Sequence, residues 1–311
     1  MFAQAVSERS GRAVPLPSAS QNDPGAVMEL NTVAVLGAGT MGRGIAHVSA
    51  MSGRTVRLFD LKPELVEGAL ASIRKSLDKG VARGKTTEDQ RDTTLANITI
   101  TTDLAAACAG ADLVIEAVPE KLELKQRLFA DVAAIAPGAV LGTNTSSLSI
   151  AAIASAVPDA TRVIGLHFFN PVHIMKLLEI VVHPGTDDAV LGACRSYGAD
   201  IGKTCITVKD FPGFATSRLG VCLGMEAIRM VEQGVASPED IDTAMVLGYR
   251  HPIGPLKLTD LVGVDVRMHI GEYLAGELAN PAFEPPALMR QMVAEGRLGK
   301  KTGRGFYDWD E

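Results

Sequence analysis

The feature that most constrains this chain is a glycine-rich stretch, Gly37-Ala-Gly39-Thr-Met-Gly42, between two segments of different periodicity. Before it, Thr32 to Leu36 is a short apolar run of the kind that forms a strand buried on both faces. After it, Met41 to Ser52 has the pattern of a helix. A second apolar run, Thr55 to Phe59, then ends at Asp60. This order predicts a βαβ unit with parallel strands and a right-handed crossover.

The glycines of this stretch meet three different requirements of a dinucleotide-binding turn. Gly37 permits the tight turn, Gly39 lets the backbone approach a pyrophosphate, and Gly42 allows the helix to pack closely on the strand. The N-terminus of the helix then faces the phosphates, which its unpaired N–H groups bind. Cofactor contacts are therefore predicted for the whole turn: Gly37, Ala38, Gly39, Thr40, Met41 and Gly42.

An acid at the end of the second strand completes the pattern. Asp60 can accept hydrogen bonds from the hydroxyls of an adenosine ribose, whereas it would repel a 2′-phosphate. Lys62 is near enough in the sequence to weaken this repulsion. The balance favours NAD over NADP as the cofactor.

A pair of helices interrupts the alternation of strands and helices after Asp60. Pro63 to Gly80 has a helical pattern, and Thr87 with Gln90 predicts the capping box of a second helix. The end of the first helix and the turn after it are basic, at Arg74, Lys75, Lys79, Arg83 and Lys85. We therefore predict a helical hairpin inserted into the α/β region.

The alternation then resumes and stops near Lys209. Further strands are predicted near 98–101, 112–117, 140, 163–168, 177–182 and 205–209. The rest is helical, at Phe214 to Gly234, Pro238 to Leu247, Leu258 to Leu278 and Pro286 to Glu295. The expected fold is α/β, a Rossmann-type doubly wound sheet with the inserted hairpin, followed by an all-α C-terminal domain. The predicted units are a disordered extension (1–29), an NAD-binding domain (30–209) and the helical domain (210–311).

Composition argues against several classes of function. The net charge is −6, whereas a nucleic-acid partner requires a positive field. No apolar run reaches the roughly 18 residues of a membrane span. The four cysteines lack CxxC spacing and form no cluster with the histidines, which indicates a reducing, cytoplasmic location and no metal site. For residues 1–29 a weak transit peptide is the alternative to disorder, although Glu8 and Asp23 interrupt it.

One stretch beyond the glycine turn carries a family resemblance. Gly165-Leu-His-Phe-Phe-Asn-Pro-Val-His-Ile-Met-Lys-Leu-Leu-Glu179 closely resembles the HFFNP…MKL…E signature of the L-3-hydroxyacyl-CoA dehydrogenases. Other motifs of the family stand in the same order along the chain, at Asn144 to Leu148, Asp210 to Phe214, Met225 to Ile228 and Gly299 to Tyr307. The resemblance implies NAD-dependent, reversible oxidation of an L-3-hydroxyacyl-CoA to the 3-ketoacyl-CoA, with 3-hydroxybutyryl-CoA as the expected substrate.

The resemblance also implies that His167 and Glu179 form a catalytic pair. An imidazole at the end of a strand can accept the hydroxyl proton while hydride leaves the substrate carbon. Glu179 would hold one ring nitrogen, fix the tautomer and stabilise the imidazolium. The other histidines lack this context and are interpreted as packed side chains: His47, His173, His183, His251 and His269.

Further positions match functional residues of the family one by one. Ser146 matches a serine between the substrate hydroxyl and the nicotinamide. Asn170 matches a residue beside the nicotinamide, with a capping role as the alternative. Ser76 and Arg83 of the hairpin match positions that touch coenzyme A, where a solvated basic face is the alternative. Cofactor contacts are also implied for four residues, with solvated surface charge as the alternative for the charged ones: Glu120, Lys125, Asn144 and Lys301.

One position departs from the family pattern. Where the family usually has asparagine in PGFxxNR, this chain has Ser217 before Arg218. In relatives this asparagine hydrogen-bonds near the reacting groups, whereas serine is shorter and lacks the planar amide. Either the site tolerates the exchange with a water in between, or the substrate differs from the usual one. We expect Ser217 to act in the catalytic site and to preserve activity on acetoacetyl-CoA, with an altered KM.

Two other functions stay open beside the leading interpretation. A dehydrogenase of a free 3-hydroxy acid, such as gulonate or carnitine, shares the same architecture. A cofactor-binding structural protein of the crystallin type is the second alternative, because fold does not fix function. The family also implies that the C-terminal domain binds substrate and forms a homodimer, and the apolar helix around Leu219 to Met230 is compatible with such an interface.

Overall fold

The computed structural model describes residues 28–309. The predicted disordered extension, residues 1–29, lies outside the described residues except for Met28 and Glu29. Within residues 28–309, no helix combines the length and the apolar character that a membrane crossing requires.

A single mixed sheet forms the centre of the N-terminal part of the chain. Its strands are β1 (Thr32–Leu36), β2 (Thr55–Phe59), β3 (Ile98–Thr101), β4 (Leu113–Glu116), β5 (Val140–Thr143), β6 (Val163–Phe168), β7 (Leu177–Val182) and β8 (Thr204–Lys209). Their order across the sheet is β3-β2-β1-β4-β5-β6-β7-β8. Among these eight strands, β6 and β7 are the one antiparallel pair. The chain winds away from β1 in both directions, which confirms the predicted doubly wound sheet.

Helices cover both faces of this sheet. They are α1 (Thr40–Met51), α2 (Pro63–Ala82), α3 (Glu88–Ala96), α4 (Leu104–Cys108), α5 (Leu122–Ile135), α6 (Ile150–Ala154) and α7 (Asp188–Asp200). Side chains from α1, α2 and α7 share one apolar core with one face of the sheet, and side chains from α5 and α6 share a second core with the other face. Burial on both faces explains why the central strands are apolar throughout.

The inserted helical hairpin is confirmed as α2 and α3. In α2 the buried residues Val66, Ala69, Ile73 and Leu77 recur at the helical period, so one face packs inward and the basic face remains outside. At the start of α3 the Thr87 hydroxyl accepts a hydrogen bond from the Gln90 backbone, and the Gln90 side chain accepts one from the Thr87 backbone. This is the predicted capping box.

Beyond β8 the structure is helical, as predicted. The helices are α8 (Thr216–Glu232), α9 (Pro238–Thr243), α10 (Pro255–Val262), α11 (Val264–Leu278) and α12 (Ala287–Ala294), with a single π-helical turn at Ala244–Gly248. The prediction of one helix from Leu258 to Leu278 is wrong, because Gly263 separates α10 from α11. Its φ of 109° lies in the region that favours glycine and ends α10.

The helical region has its own core and is closed by the C-terminal segment. Side chains such as Met225, Ile228 and Leu274 form this third apolar cluster. The buried carboxylate of Asp260 accepts hydrogen bonds from the Phe306 and Tyr307 backbone N–H groups and from the Trp309 indole. One carboxylate thereby anchors the last described residues of the chain to α10.

Candidate active site

The glycine turn joins β1 to α1 at the carboxyl edge of the sheet. Gly37 has a φ of 102°, and a Cβ on Gly42 would lie 1.7 Å from the Gly37 carbonyl oxygen. By contrast, a Cβ on Gly39 would meet nothing within 4 Å. Gly37 and Gly42 are therefore required by the protein's own packing, while Gly39 borders open space into which a cofactor phosphate fits.

The first turn of α1 and the end of β2 face this open space. Gly39 caps α1 without any side-chain hydrogen bond, so the first N–H groups are not capped by a side chain of the turn. Thr40 and Met41 form the first turn of the helix. At the end of β2, Asp60 accepts a hydrogen bond from Ala38 N at 2.7 Å, which holds the predicted ribose-binding acid beside the turn. The arrangement fits the pyrophosphate and the adenosine ribose of NAD.

His167 and Glu179 meet across the antiparallel pair β6 and β7. They are directly opposite in the strand register, and His167 Nδ1 lies 2.7 Å from Glu179 Oε2. Both side chains are buried, with 9% and 0% of their surfaces exposed. The ring of Phe169 lies 4.4 Å from the imidazole ring, measured between centroids, and provides an apolar wall. The structure thus brings together the two residues that the sequence predicts as a pair.

The carboxylate of Glu179 is surrounded by hydrogen-bond donors. Besides His167, it accepts bonds from Ala215 N at 3.2 Å, from Thr216 N at 3.0 Å and from Thr216 Oγ1 at 2.8 Å. Burial alone would raise the pKa of Glu179, but the bonds from His167 and Thr216 outweigh it and hold the pKa below its usual value of 4.5. Glu179 is therefore ionised at neutral pH and accepts, rather than donates, the hydrogen bond from the imidazole.

A second polar network lies along the ends of β4 and β5. Lys125 Nζ is 2.6 Å from Glu116 Oε1 and 3.2 Å from Glu120 Oε2. With 1% of its side chain exposed, Lys125 is not a solvated surface charge, so that alternative is wrong. Partial burial opposes the ionisation of Glu120, but Lys125 and the hydrogen bonds from Thr145 and the Ser146 backbone lower its pKa.

The loop after β5 connects this network to the start of α8. Ser146 N donates to Glu120 Oε1 at 2.9 Å, and Ser217 Oγ donates to the Ser146 carbonyl oxygen at 3.2 Å. Asn144 Oδ1 accepts from Phe168 N at 2.9 Å, immediately beside His167. Ser146, Ser217 and Asn144 are thus gathered around the carboxyl ends of β5 and β6, together with the His167–Glu179 pair.

Four of the predicted site residues make their contacts elsewhere or face solvent. Lys301 pairs with Asp265, with 2.6 Å between Nζ and each carboxylate oxygen. Asn170 is exposed in the turn that follows β6, next to Pro171. On the hairpin, Ser76 is half-buried and Arg83 is exposed at the end of α2.

Two residues of the site escape the sequence analysis. Glu116 is an acid at the end of an otherwise apolar buried strand, a pattern that signals a buried partner. Thr216 lies beside Ser217 in the motif that starts the helical domain, but the identity of its partner depends on how α8 packs against β7. Among the described residues, no group of three or more histidine, cysteine or acidic side chains has the geometry of a metal site.

Comparison with known proteins agrees with this geometry. The family model for the NAD binding domain of 3-hydroxyacyl-CoA dehydrogenase matches residues 32–211. The family model for the C-terminal domain of the same enzyme matches residues 213–309. A probable 3-hydroxybutyryl-CoA dehydrogenase of Bacillus subtilis is 41% identical over 285 residues, which cover 91% of this chain and 99% of the relative.

Two solved structures are similar over the same range. FadB2 of Mycobacterium tuberculosis has a TM-score of 0.88 and 42% identity, covering 91% of this chain and 100% of that chain. (S)-3-hydroxybutyryl-CoA dehydrogenase PaaH1 from Ralstonia eutropha has a TM-score of 0.87 and 39% identity, with coverage of 91% and 100%.

The fold and the glycine turn, taken with the matched cofactor domain, define an NAD-dependent oxidoreductase. Because the two family models together match nearly the whole described chain, the protein belongs to the 3-hydroxyacyl-CoA dehydrogenase family. Its reaction is the NAD-dependent oxidation of a 3-hydroxyacyl-CoA.

Proposed function

We propose that the substrate is a short-chain L-3-hydroxyacyl-CoA, 3-hydroxybutyryl-CoA, and that His167 is the residue that moves the proton. The observation that carries the catalytic assignment is the buried His167–Glu179 pair, with 2.7 Å between Nδ1 and Oε2. The substrate assignment follows the names of two relatives, a probable 3-hydroxybutyryl-CoA dehydrogenase of Bacillus subtilis and (S)-3-hydroxybutyryl-CoA dehydrogenase PaaH1.

The tautomer of His167 determines what the residue can do. Because the ionised Glu179 has no proton to give, Nδ1 carries the hydrogen of their shared bond. The other ring nitrogen, Nε2, then has a free lone pair and accepts the proton of the substrate 3-hydroxyl. Bound NAD+ supplies the hydride acceptor. The imidazolium formed at His167 is stabilised by the negative charge of Glu179, and the same proton returns to the ketone in the reverse reaction.

The residues around the pair would orient the reactants. Gly39, Thr40 and Met41 line the proposed phosphate site, with Asp60 toward the ribose. The loop of Asn144 and Ser146 would lie between the nicotinamide and the reacting hydroxyl. Further cofactor contacts are proposed for Gly37, Ala38, Gly42, Glu120, Lys125, Asn170 and Lys301.

The coenzyme A part of the substrate is assigned to the helical hairpin. Arg83 is exposed at the end of α2 and Ser76 lies about two turns earlier on the same helix, among exposed basic side chains. Guanidinium and ammonium groups there would pair with the phosphates of coenzyme A. A free 3-hydroxy acid has no such phosphates, so the basic hairpin favours the thioester.

The helical region is proposed as the domain for substrate binding and homodimerisation, with residues 30–209 as the NAD-binding domain. Large apolar side chains are exposed there, with 72% of Leu219 and 45% of Leu261 accessible in the single chain. Covering them against a second copy would remove this apolar surface from water.

All four cysteines are unpaired, as expected of a protein of the cytoplasm, where we place a role in β-oxidation.

The decisive experiment follows NADH absorbance with acetoacetyl-CoA and, separately, with free 3-keto acids. Oxidation of NADH with acetoacetyl-CoA alone supports the proposal, whereas turnover of the free acids alone would make the protein a free-acid dehydrogenase. His167→Gln should lower kcat by about 10²–10⁴-fold while NADH binds nearly as before, because the ring lies at the reacting hydroxyl rather than at the phosphates. A His167→Gln variant with wild-type kcat would refute the assignment.

A further inference from the structure

The hydrogen bonds of Glu179 come from three donors at the start of α8 besides His167. Ala215 N and Thr216 N share Oε1, while the Thr216 hydroxyl and the His167 ring share Oε2. Each carboxylate oxygen thus has two donors, which exhausts the approximately four acceptor sites of a carboxylate. The first turn of α8 also brings the positive end of the helix dipole to this buried charge.

Thr216 differs from the other donors because its hydroxyl binds the same oxygen as the catalytic imidazole. Thr216 Oγ1 and His167 Nδ1 lie 2.8 Å and 2.7 Å from Glu179 Oε2. The hydroxyl therefore competes with the imidazole for the negative charge of Glu179 Oε2. It also fixes the position of that oxygen. The two backbone donors on Oε1 do not compete in this way.

We propose that Thr216 is a positioning residue whose hydroxyl sets the proton affinity of the His167–Glu179 pair. This inference rests on the proposed role of His167 as the proton acceptor. Thr216 itself has no assigned contact with the reacting hydroxyl and acts through Glu179. Its neighbour Ser217 turns instead to the Ser146 carbonyl, so the two adjacent side chains serve different parts of the site.

The direction of the effect follows from the charge on Oε2. Without the Thr216 hydroxyl, the Glu179 carboxylate would accept one hydrogen bond fewer. Its negative charge would then attract the Nδ1 proton of the imidazolium more strongly. The protonated form of His167 would gain stability, and the apparent pKa of the pair would rise. Since the oxidation reaction needs His167 neutral, the acid limb of its pH profile would move to higher pH. The expected shift is about 0.5 unit, because only a part of the free energy of the lost hydrogen bond differs between neutral and protonated His167.

Few other groups around Glu179 can shift the apparent pKa of the His167–Glu179 pair. At the paired position of β8, Glu179 faces the apolar Ile206, and from β6 it faces His167. From α8 it faces the backbone of Ala215 and the uncharged Thr216. Within the described residues, His167 is the one titratable side chain hydrogen-bonded to Glu179.

The test compares the pH dependence of kcat/KM for the oxidation of 3-hydroxybutyryl-CoA in the wild type, Thr216→Val and Thr216→Ser. Valine keeps the shape and removes the hydroxyl, whereas serine keeps the hydroxyl. We expect the acid limb to move up by about 0.5 pH unit in Thr216→Val and to stay at the wild-type position in Thr216→Ser. A purely structural role would lower activity at every pH and leave the inflection where it is.

Two outcomes would overturn the inference: a Thr216→Val profile with the wild-type inflection, or an equal shift in Thr216→Ser. Thr216→Ala, which adds no bulk, replaces Thr216→Val if the latter does not fold, as judged by circular dichroism, and must show the same shift. His167→Gln separates this inference from the proposed function. If His167→Gln is active, the proposed function fails; if it is inactive and the Thr216 profiles coincide with the wild type, only the role of Thr216 fails.

Discussion

Lys125 and Glu116 form a fully buried ion pair, with 2.6 Å between Nζ and Oε1. Glu116 ends β4 and Lys125 lies in α5, so the pair fixes the first turns of α5 to the carboxyl end of the strand. Glu116 accepts two further hydrogen bonds, from Val118 N at 2.7 Å and from Thr143 Oγ1 at 2.8 Å. The same ammonium group reaches Glu120, which holds the loop of Ser146, and so connects the core of the sheet to that loop.

Replacing Lys125 by methionine should destabilise the protein strongly. The change leaves the Glu116 carboxylate buried without its cation, which costs about 3–5 kcal/mol in the free energy of unfolding. Urea unfolding at neutral pH measures this loss. The double variant Lys125→Met with Glu116→Gln is the control, since it removes both charges and should recover most of the stability. Equal stability of Lys125→Met and the wild type would mean that the pair contributes nothing to the fold.

Replacement by alanine should have different effects at Gly39 and at Gly42. A Cβ at Gly42 would collide with the Gly37 carbonyl, so Gly42→Ala should lower stability and disturb the turn. Gly39→Ala has room for its Cβ and should unfold like the wild type, yet it fills the space proposed for the pyrophosphate. We expect its Kd for NADH to rise about tenfold or more, a loss of roughly 1.4 kcal/mol. NADH fluorescence titration beside urea unfolding checks both variants, and an unchanged Kd in Gly39→Ala would place the cofactor elsewhere.

His47 should make the protein less stable in mild acid. Burial lowers the pKa of His47 from 6.5 to about 4, and the neighbouring His173 adds to the effect. Between these two pH values the unfolded chain binds a proton that the folded protein refuses, so stability is lost as the pH falls through this range. His47 Nε2 also has no hydrogen-bond partner in the described part of the protein.

His47→Leu should therefore reduce the difference in unfolding free energy between pH 7 and about pH 5. Leucine binds no proton and leaves no polar atom buried. The free energy of unfolding of the variant should therefore rise relative to that of the wild type as the pH falls. Urea titrations at both pH values provide the comparison. The explanation fails if both proteins lose stability in parallel.

Ser217→Asn tests the departure from the family pattern. We expect the wild type to reduce acetoacetyl-CoA and the variant to change KM more than kcat, because Ser217 already makes one hydrogen bond, to the Ser146 carbonyl. Ser217→Ala, which lacks that bond, is the matched control. An inactive wild type that becomes active in Ser217→Asn would show instead that the natural substrate is a different one.

Much of the fold was predictable because it depends on local pattern. The glycine turn, the buried strands on either side and the capping box of Thr87 and Gln90 are determined by residues within a few positions of one another. Gly263 shows the limit of such reasoning. Its neighbours have a continuous helical pattern, and the backbone conformation, with its φ of 109°, decides that the helix ends there.

The sequence by itself determined most of the elements, the glycine turn and, through the family motif, the pairing of His167 with Glu179, since these depend on short-range spacing and on residue type. Only the tertiary structure decided which side chains are buried and what satisfies them. Lys125 is a predicted cofactor contact in the sequence, with a surface charge as the alternative, and its burial against Glu116 follows only from the packing of α5 over the end of β4. Thr216 is 37 residues from Glu179, and its hydroxyl meets that carboxylate only because α8 docks with its N-terminus against β7. A buried carboxylate requires hydrogen-bond donors close to it, and tertiary packing brings those donors together from distant parts of the chain.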